Sequence, residues 1–301
     1  MIKSLKYYGQ LLKFRLSLTV VFSAMAGYLL GVSNFSVSEF LLLIFGGFLV
    51  TGSANGFNQI LEGDYDKLMK RTEKRPLPQK NLKPSSAIFF SIIIGLLGFY
   101  LLSLIKPHGS FYGLLSKSSA FGLLSLMIYV LSYTPLKRMS TASIFVGAIP
   151  GAIPVLLGWV AATDDFGLAI GILFAIQFLW QFPHFISIAW IQDDQYKKAG
   201  FHMMYGGEKG VYPARIAFIT SVFMTIVSVT PYFFDLYGLH LSLFSFFLIL
   251  SLGIWFTVKS YQLLTQINDE SAKKLMLASF IYLPSMQIIY MLDKWTIIWL
   301  A

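Results

Sequence analysis

The chain has 301 residues, of which 56% are hydrophobic, 17% aromatic and only 12% charged, a balance that no water-soluble single-core domain could keep out of water. Its formal charge of +9 resolves into short basic clusters between apolar runs, which excludes a nucleic-acid footprint and fits membrane orientation and anionic lipid instead. The absence of cysteine excludes disulfides, thiolate catalysis and cysteine-ligated metals or clusters.

Apolar segments of membrane-crossing length are read at 13–33, 38–60, 86–106, 110–132, 143–162, 167–191, 213–234, 239–262 and 275–292. The stretch before the first lacks a small-residue cleavage site and runs into a full-length span, so it is read as retained rather than as a signal peptide. The second span closes on Asn58, Glu62 and Asp66. Residues four apart on a helix drift by only about 40°, so a carboxamide and two carboxylates project from one face and suit a hard cation. Lys67, Lys70, Arg71, Lys74 and Arg75 follow at once, as a multiply charged anion such as diphosphate would require.

The fourth span ends on the same side with Tyr129, Tyr133, Lys137 and Arg138, whose cations could neutralise phosphate or carboxylate oxygens. Gly147, Pro150, Gly151, Pro154 and Gly158 fill the fifth span. They are read as close helix packing with carbonyls freed by proline. The sixth carries Trp180-Gln181-Phe182-Pro183-His184 and ends in Asp193-Asp194-Gln195-Tyr196. An ionisable group inside a span is a functional candidate, which singles out His184. Asp193 and Asp194 lie at the depth of Glu62 and Asp66, so two acidic groups could share one diphosphate through Mg²⁺, which binds through one or two carboxylates plus substrate phosphates.

Once the spans are drawn, 20 of the 23 Lys and Arg residues fall on one side, leaving Lys106, Lys117 and Lys294. The positive-inside rule then places the N-terminus in the cytoplasm and the C-terminus outside. The expected architecture is an all-α polytopic membrane protein, one domain over 1–301, with nine transmembrane helices around a central cavity open toward the cytoplasmic side.

Taken together, Asn58-x3-Glu62-x3-Asp66, Arg71-Thr72-x2-Arg75-Pro76, Tyr133-Thr134-x2-Lys137-Arg138, Gly151-Ala152-x-Pro154-x3-Gly158-Trp159 and Trp180-Gln181-x-Pro183-His184 resemble the protoheme IX farnesyltransferase family, the haem O synthases among the intramembrane prenyltransferases. The resemblance runs from about residue 10 to 290. It implies an inner-membrane enzyme with farnesyl diphosphate as donor, haem B as acceptor and Mg²⁺ as cofactor. Asn58, Glu62 and Asp66 would hold the magnesium diphosphate, and Arg71 and Arg75 would bind its oxygens with Lys137 and Arg138 nearby. With haem as acceptor, His184 becomes a candidate for haem contact, either as an iron ligand or as a partner for a polar edge. Candidate partners are haem A synthase and oxidase-assembly proteins. One position departs from the family pattern. Gln195 stands before Tyr196 where an acidic residue is usual, so Asp194, or Asp193, becomes the metal-side carboxylate.

Two rivals are weighed against this reading. A secondary transporter would need polar pairs near the midplane and broken helices related by a repeat, whereas the carboxylates here cluster at span ends. A prenyltransferase with a quinone-type aromatic acceptor is compatible with the first motif alone, and a haem Soret band would separate the two.

Overall fold

The computed structural model describes residues 2–111, 115–234, 236 and 238–300. A short helix, α1 (Ile2–Leu11), precedes nine helices long and apolar enough to cross a membrane among the described residues. These are α2 (Phe14–Gly31), α3 (Val37–Leu61), α4 (Pro84–Ser103), α5 (Lys117–Leu136), α6 (Ala142–Thr163), α7 (Leu168–Ile191), α8 (Val211–Val229), α9 (Leu243–Gln266) and α10 (Asp269–Leu300). Several starts are set by local chemistry. Ser36, Ser116 and Ser242 each accept a hydrogen bond from the amide three residues on, satisfying a donor that the first turn leaves free. Pro84 opens α4 where no amide is needed.

All nine expected spans are present, but some boundaries differ. The fourth, expected at 110–132, runs over 117–136. Ser110–Phe111 (β1) instead pairs antiparallel with Leu115–Ser116 (β2), and the helix starts only after the Ser116 cap; residues 112–114 lie outside the described residues. The ninth, expected at 275–292, begins at Asp269, because Asn268 Oδ1 caps the Ser271 amide at 2.8 Å and two acidic residues occupy the first turn. The amphipathic α1 is not foreshadowed by hydropathy. Its Leu11 packs with Leu82 and Ala87, against Tyr7 and Tyr8.

The most buried span is α6, followed by α7. Glycine makes this centre possible. A Cβ on Gly158 would lie 1.8 Å from Ala24 O, and one on Gly27 would lie 2.0 Å from Val155 O. The backbones of α2 and α6 are therefore in direct contact, as small residues allow inside a membrane. Pro154 removes the amide that would have served Pro150 O, and Ser125 Oγ donates to that carbonyl at 3.4 Å. At one end of the bundle, Asp293 accepts from Ser242 N at 2.8 Å and Ser245 Oγ at 2.6 Å, tying α10 to the start of α9. Gly158→Val is expected to lower stability by at least about 1–3 kcal/mol, while Gly171→Val, where a Cβ meets nothing within 4 Å, leaves it unchanged. Thermal unfolding of the two detergent-solubilised variants checks this, and equal melting temperatures would refute the contact.

Candidate active site

The loops after α3, α5 and α7 emerge at the opposite end and knit together. Lys70 N donates to Gln195 Oε1 at 2.8 Å, and His202 N donates to Lys137 O at 2.6 Å. Tyr65 and Tyr196 both pack on Phe201, with ring centres 5.9 and 6.1 Å apart. Gln195 therefore fastens the α3–α4 loop to the end of α7 by accepting a backbone hydrogen bond, a task that requires no charge.

Within this cap α3 ends at Leu61, yet the ladder continues. Glu62 N bonds to Asn58 O at 3.0 Å and Asp66 N to Glu62 O at 2.8 Å. The i to i+4 register thus persists through the short turn Gly63–Asp66, which keeps Asn58, Glu62 and Asp66 on one face, as their spacing implies. All three are buried, Asp66 completely. Each meets a cation from a different element. Asn58 Oδ1 accepts from Lys13 Nζ at 2.9 Å, Glu62 Oε1 pairs with Lys137 Nζ at 2.8 Å, and Asp66 Oδ2 pairs with Arg75 Nη1 at 2.7 Å. Thr72 makes the last pair reachable. Its hydroxyl donates to Asp66 O at 2.9 Å and folds the loop back on itself.

Charge is distributed unevenly over this face. Burial pushes Glu62 up, but Lys137, Lys13 and Arg75 together hold its carboxyl below the usual range. For Asp66 burial outweighs the opposing Arg75 and raises it. Burial, with Arg75 and Lys137 as like charges, lowers Lys13 to about 7. The Glu62 carboxylate, helped by the Tyr133 and Tyr129 rings, more than offsets burial for Lys137 and keeps it protonated.

Lys13 is the participant that sequence reasoning misses, counting it only as an orientation charge. It sits at the α1–α2 break with φ 46° and ψ 56°, a left-handed conformation that costs a non-glycine residue about 1–3 kcal/mol. The break is held from α3. Gln59 Nε2 donates to Leu11 O at 2.9 Å, and Asn55 Nδ2 donates to Ser17 Oγ at 3.2 Å. The available signal is a polar stripe, Asn55, Asn58, Gln59 and Glu62, on an otherwise apolar helix, which requires a polar partner inside the bundle.

A cavity of about 400 Å³ opens beside Glu62, with Tyr65, Thr134, Arg138 and Phe201 in its wall. Arg138 lies over the Tyr65 ring at 4.2 Å, and Arg71 lies 6.0 Å from the Tyr196 ring. Toward the membrane interior Tyr129 and Tyr133 follow, brought together at 5.2 Å by a π-helical turn over 128–133, a distortion common at functional sites. Phe185 stacks on Tyr133 at 6.4 Å.

The second acidic pair is placed differently. Asp193 is buried and pairs with Lys197 at 2.8 Å, while Asp194 is exposed. Among the described residues no group of three or more His, Asp or Glu side chains is gathered for a metal. What the structure does contain is an orphan. Asp66 Oδ1 is buried without a hydrogen-bond partner, and an ionised carboxylate oxygen in that state is costly unless a cation reaches it. The donor set of Asn58, Glu62 and Asp66 is all oxygen, as Mg²⁺ prefers, and leaves positions for water and phosphate. The residues present fit that ion.

His184 stands apart, on the seam between α7 and α10. It stacks on Trp180 at 4.4 Å and bonds through Nδ1 to Ser279 Oγ at 2.8 Å. Nearby, Gln287 Nε2 bonds to Ser23 Oγ and Gln177 Oε1, and Gln177 Nε2 to Gly151 O, forming a buried polar chain across four spans. The side chain of Gln181, a residue 5% exposed, has no hydrogen-bond partner among the described residues.

Comparison with known proteins follows the same lines. The UbiA prenyltransferase family matches residues 20–283. A protoheme IX farnesyltransferase of Flavobacterium psychrophilum is 40% identical over 290 residues, covering 95% of this chain and 94% of the relative. Among solved structures, that of a digeranylgeranylglyceryl phosphate synthase superposes with a TM-score of 0.80 at 22% identity, covering 98% of this chain and 99% of its own. A UbiA homologue from Archaeoglobus fulgidus bound to DMAPP and Mg²⁺ superposes with a TM-score of 0.66 at 16% identity, covering 92% and 98%.

Proposed function

We propose, for a chain that belongs to the UbiA prenyltransferase family, that it transfers the farnesyl group of farnesyl diphosphate to a vinyl group of haem B and so makes haem O. The observation that carries this reading is the α3 face, where Asn58, Glu62 and Asp66 meet Lys13, Lys137 and Arg75. Fixed cations interleaved with buried oxygen ligands suit a polyanion that arrives with its own metal. The 40% identity to a protoheme IX farnesyltransferase over nearly both chains supports haem as acceptor.

In this reading Lys13, Lys137, Arg71 and Arg75 bind the diphosphate oxygens, with Arg138 at the cavity wall, and Asn58, Glu62 and Asp66 face the metal, joined by Asp193 or Asp194 from the second loop. Bound Mg²⁺ supplies positive charge to the departing diphosphate. Fixed cations in a water-poor site stabilise the same developing charge without reorganisation. The bond between farnesyl C1 and oxygen breaks with its electron pair leaving on diphosphate, and the rings of Tyr129, Tyr133 and Phe185 shield the allylic cation. The haem vinyl attacks C1, and water captures the cation left on the haem side and loses a proton, giving the hydroxyethylfarnesyl group. The protein is an integral multi-pass membrane protein, read as one domain over 1–301, with the basic loops and N-terminus in the cytoplasm, the C-terminus outside and the cavity opening inward.

The test is product formation. Purified protein with Mg²⁺, haem B and farnesyl diphosphate is expected to yield haem O by mass spectrometry, and none when EDTA is present. Prenylation of a hydroxybenzoate in place of haem would overturn the acceptor.

A further inference from the structure

We infer that His184 is an axial ligand to the iron of the acceptor haem, and that Ser279 is the positioning residue that sets its tautomer; this rests on haem being the acceptor. One proton decides the tautomer. Ser279 Oγ donates its hydrogen to Met276 O at 2.6 Å, and a hydroxyl has only one to give. Its 2.8 Å contact with His184 Nδ1 is therefore one in which the ring N–H donates and the serine oxygen accepts. The neutral imidazole then carries its lone pair on Nε2.

That nitrogen has no hydrogen-bond partner among the described residues and is not fully buried. Most polar side-chain atoms inside a protein have a hydrogen-bond partner. This one holds one and leaves the other bare, the arrangement found where imidazole binds metal and its other nitrogen donates to a fixed acceptor. The ring cannot swing freely, since Trp180 covers one face at 17° to it and Phe280 stands nearly perpendicular with ring centres 5.2 Å apart. Ser279 also receives Trp180 Nε1 on its carbonyl at 3.0 Å, so one residue of α10 fixes both rings. Phe280 is 53% exposed and His184 itself 9%, so the ring lies just beneath the outer surface of the bundle, beside the bilayer in which a flat apolar macrocycle dissolves.

Haem B is titrated into the purified full-length protein, with affinity read from the Soret band and ligation from the iron–imidazole stretch in resonance Raman spectra. Wild type is expected to show a histidine-ligated iron. His184→Ala loses that signature, and His184→Gly recovers it when imidazole is added. Ser279→Ala weakens haem binding roughly 10- to 100-fold, whereas Ser279→Thr keeps the hydroxyl and binds as wild type. An unchanged spectrum in His184→Ala overturns the ligand assignment, and unchanged affinity in Ser279→Ala overturns the positioning role. If His184→Ala keeps the wild-type spectrum and still makes haem O, the ligation fails and the proposed reaction stands. Histidine-ligated haem in a protein that never farnesylates it supports the ligation and overturns the reaction.

Discussion

Asp66→Asn is expected to lower turnover by about 10²–10³-fold, the scale seen when one preorganised electrostatic contact is removed from a transition state. The carboxylate has two differently used oxygens, Oδ2 on Arg75 and Oδ1 with no partner. An amide can still present oxygen to Arg75, which leaves its NH₂, a donor, facing the position where a cation would sit. Folding should survive, because the Arg75 contact and the Thr72 bond to the Asp66 carbonyl both persist. Steady-state assay over a Mg²⁺ series reads the effect, with a raised metal requirement as its signature. Wild-type turnover at every Mg²⁺ concentration would remove Asp66 from the site.

Lys137→Met is expected to destabilise the protein by more than one missing hydrogen bond accounts for. The pair is nearly dry, with side-chain exposures of 12% for Lys137 and 8% for Glu62, and removing one partner of a buried pair strands the other at about 3–5 kcal/mol. Most of that loss should be recovered by the double variant Glu62→Gln with Lys137→Met, since no uncompensated charge then remains. Activity should not return, because in the proposed reaction diphosphate then lacks a cation and the metal a carboxylate. Thermal unfolding and turnover measured on the Lys137→Met, Glu62→Gln and double variants separate the effects, and a double variant as active as wild type would show that the pair is structural only.

What can be read along the chain is whatever depends on neighbours in sequence. Nine spans follow from runs of apolar residues, and one face for Asn58, Glu62 and Asp66 follows from helical period, which the backbone bonds continue through the break after Leu61. The small residues of α6 announce close packing, and Gly158 against Ala24 O supplies it. Boundaries differ where a cap or a strand pair competes with hydropathy, as at Ser116 and Asn268.

Only the tertiary structure decided which charges meet. Lys13, Lys137 and Arg75 lie 45, 75 and 9 residues from their partners in the chain, and no local pattern separates such a cation from one that merely faces anionic lipid. The same holds for the serine on α10 that bonds to His184 from 95 residues away, whereas the Asp193–Lys197 pair, four residues apart on one helix, is a local contact. Hydropathy is a property of a segment and survives any packing. An ion pair or a tautomer belongs to two segments at once, and it exists only after the helices have chosen their neighbours.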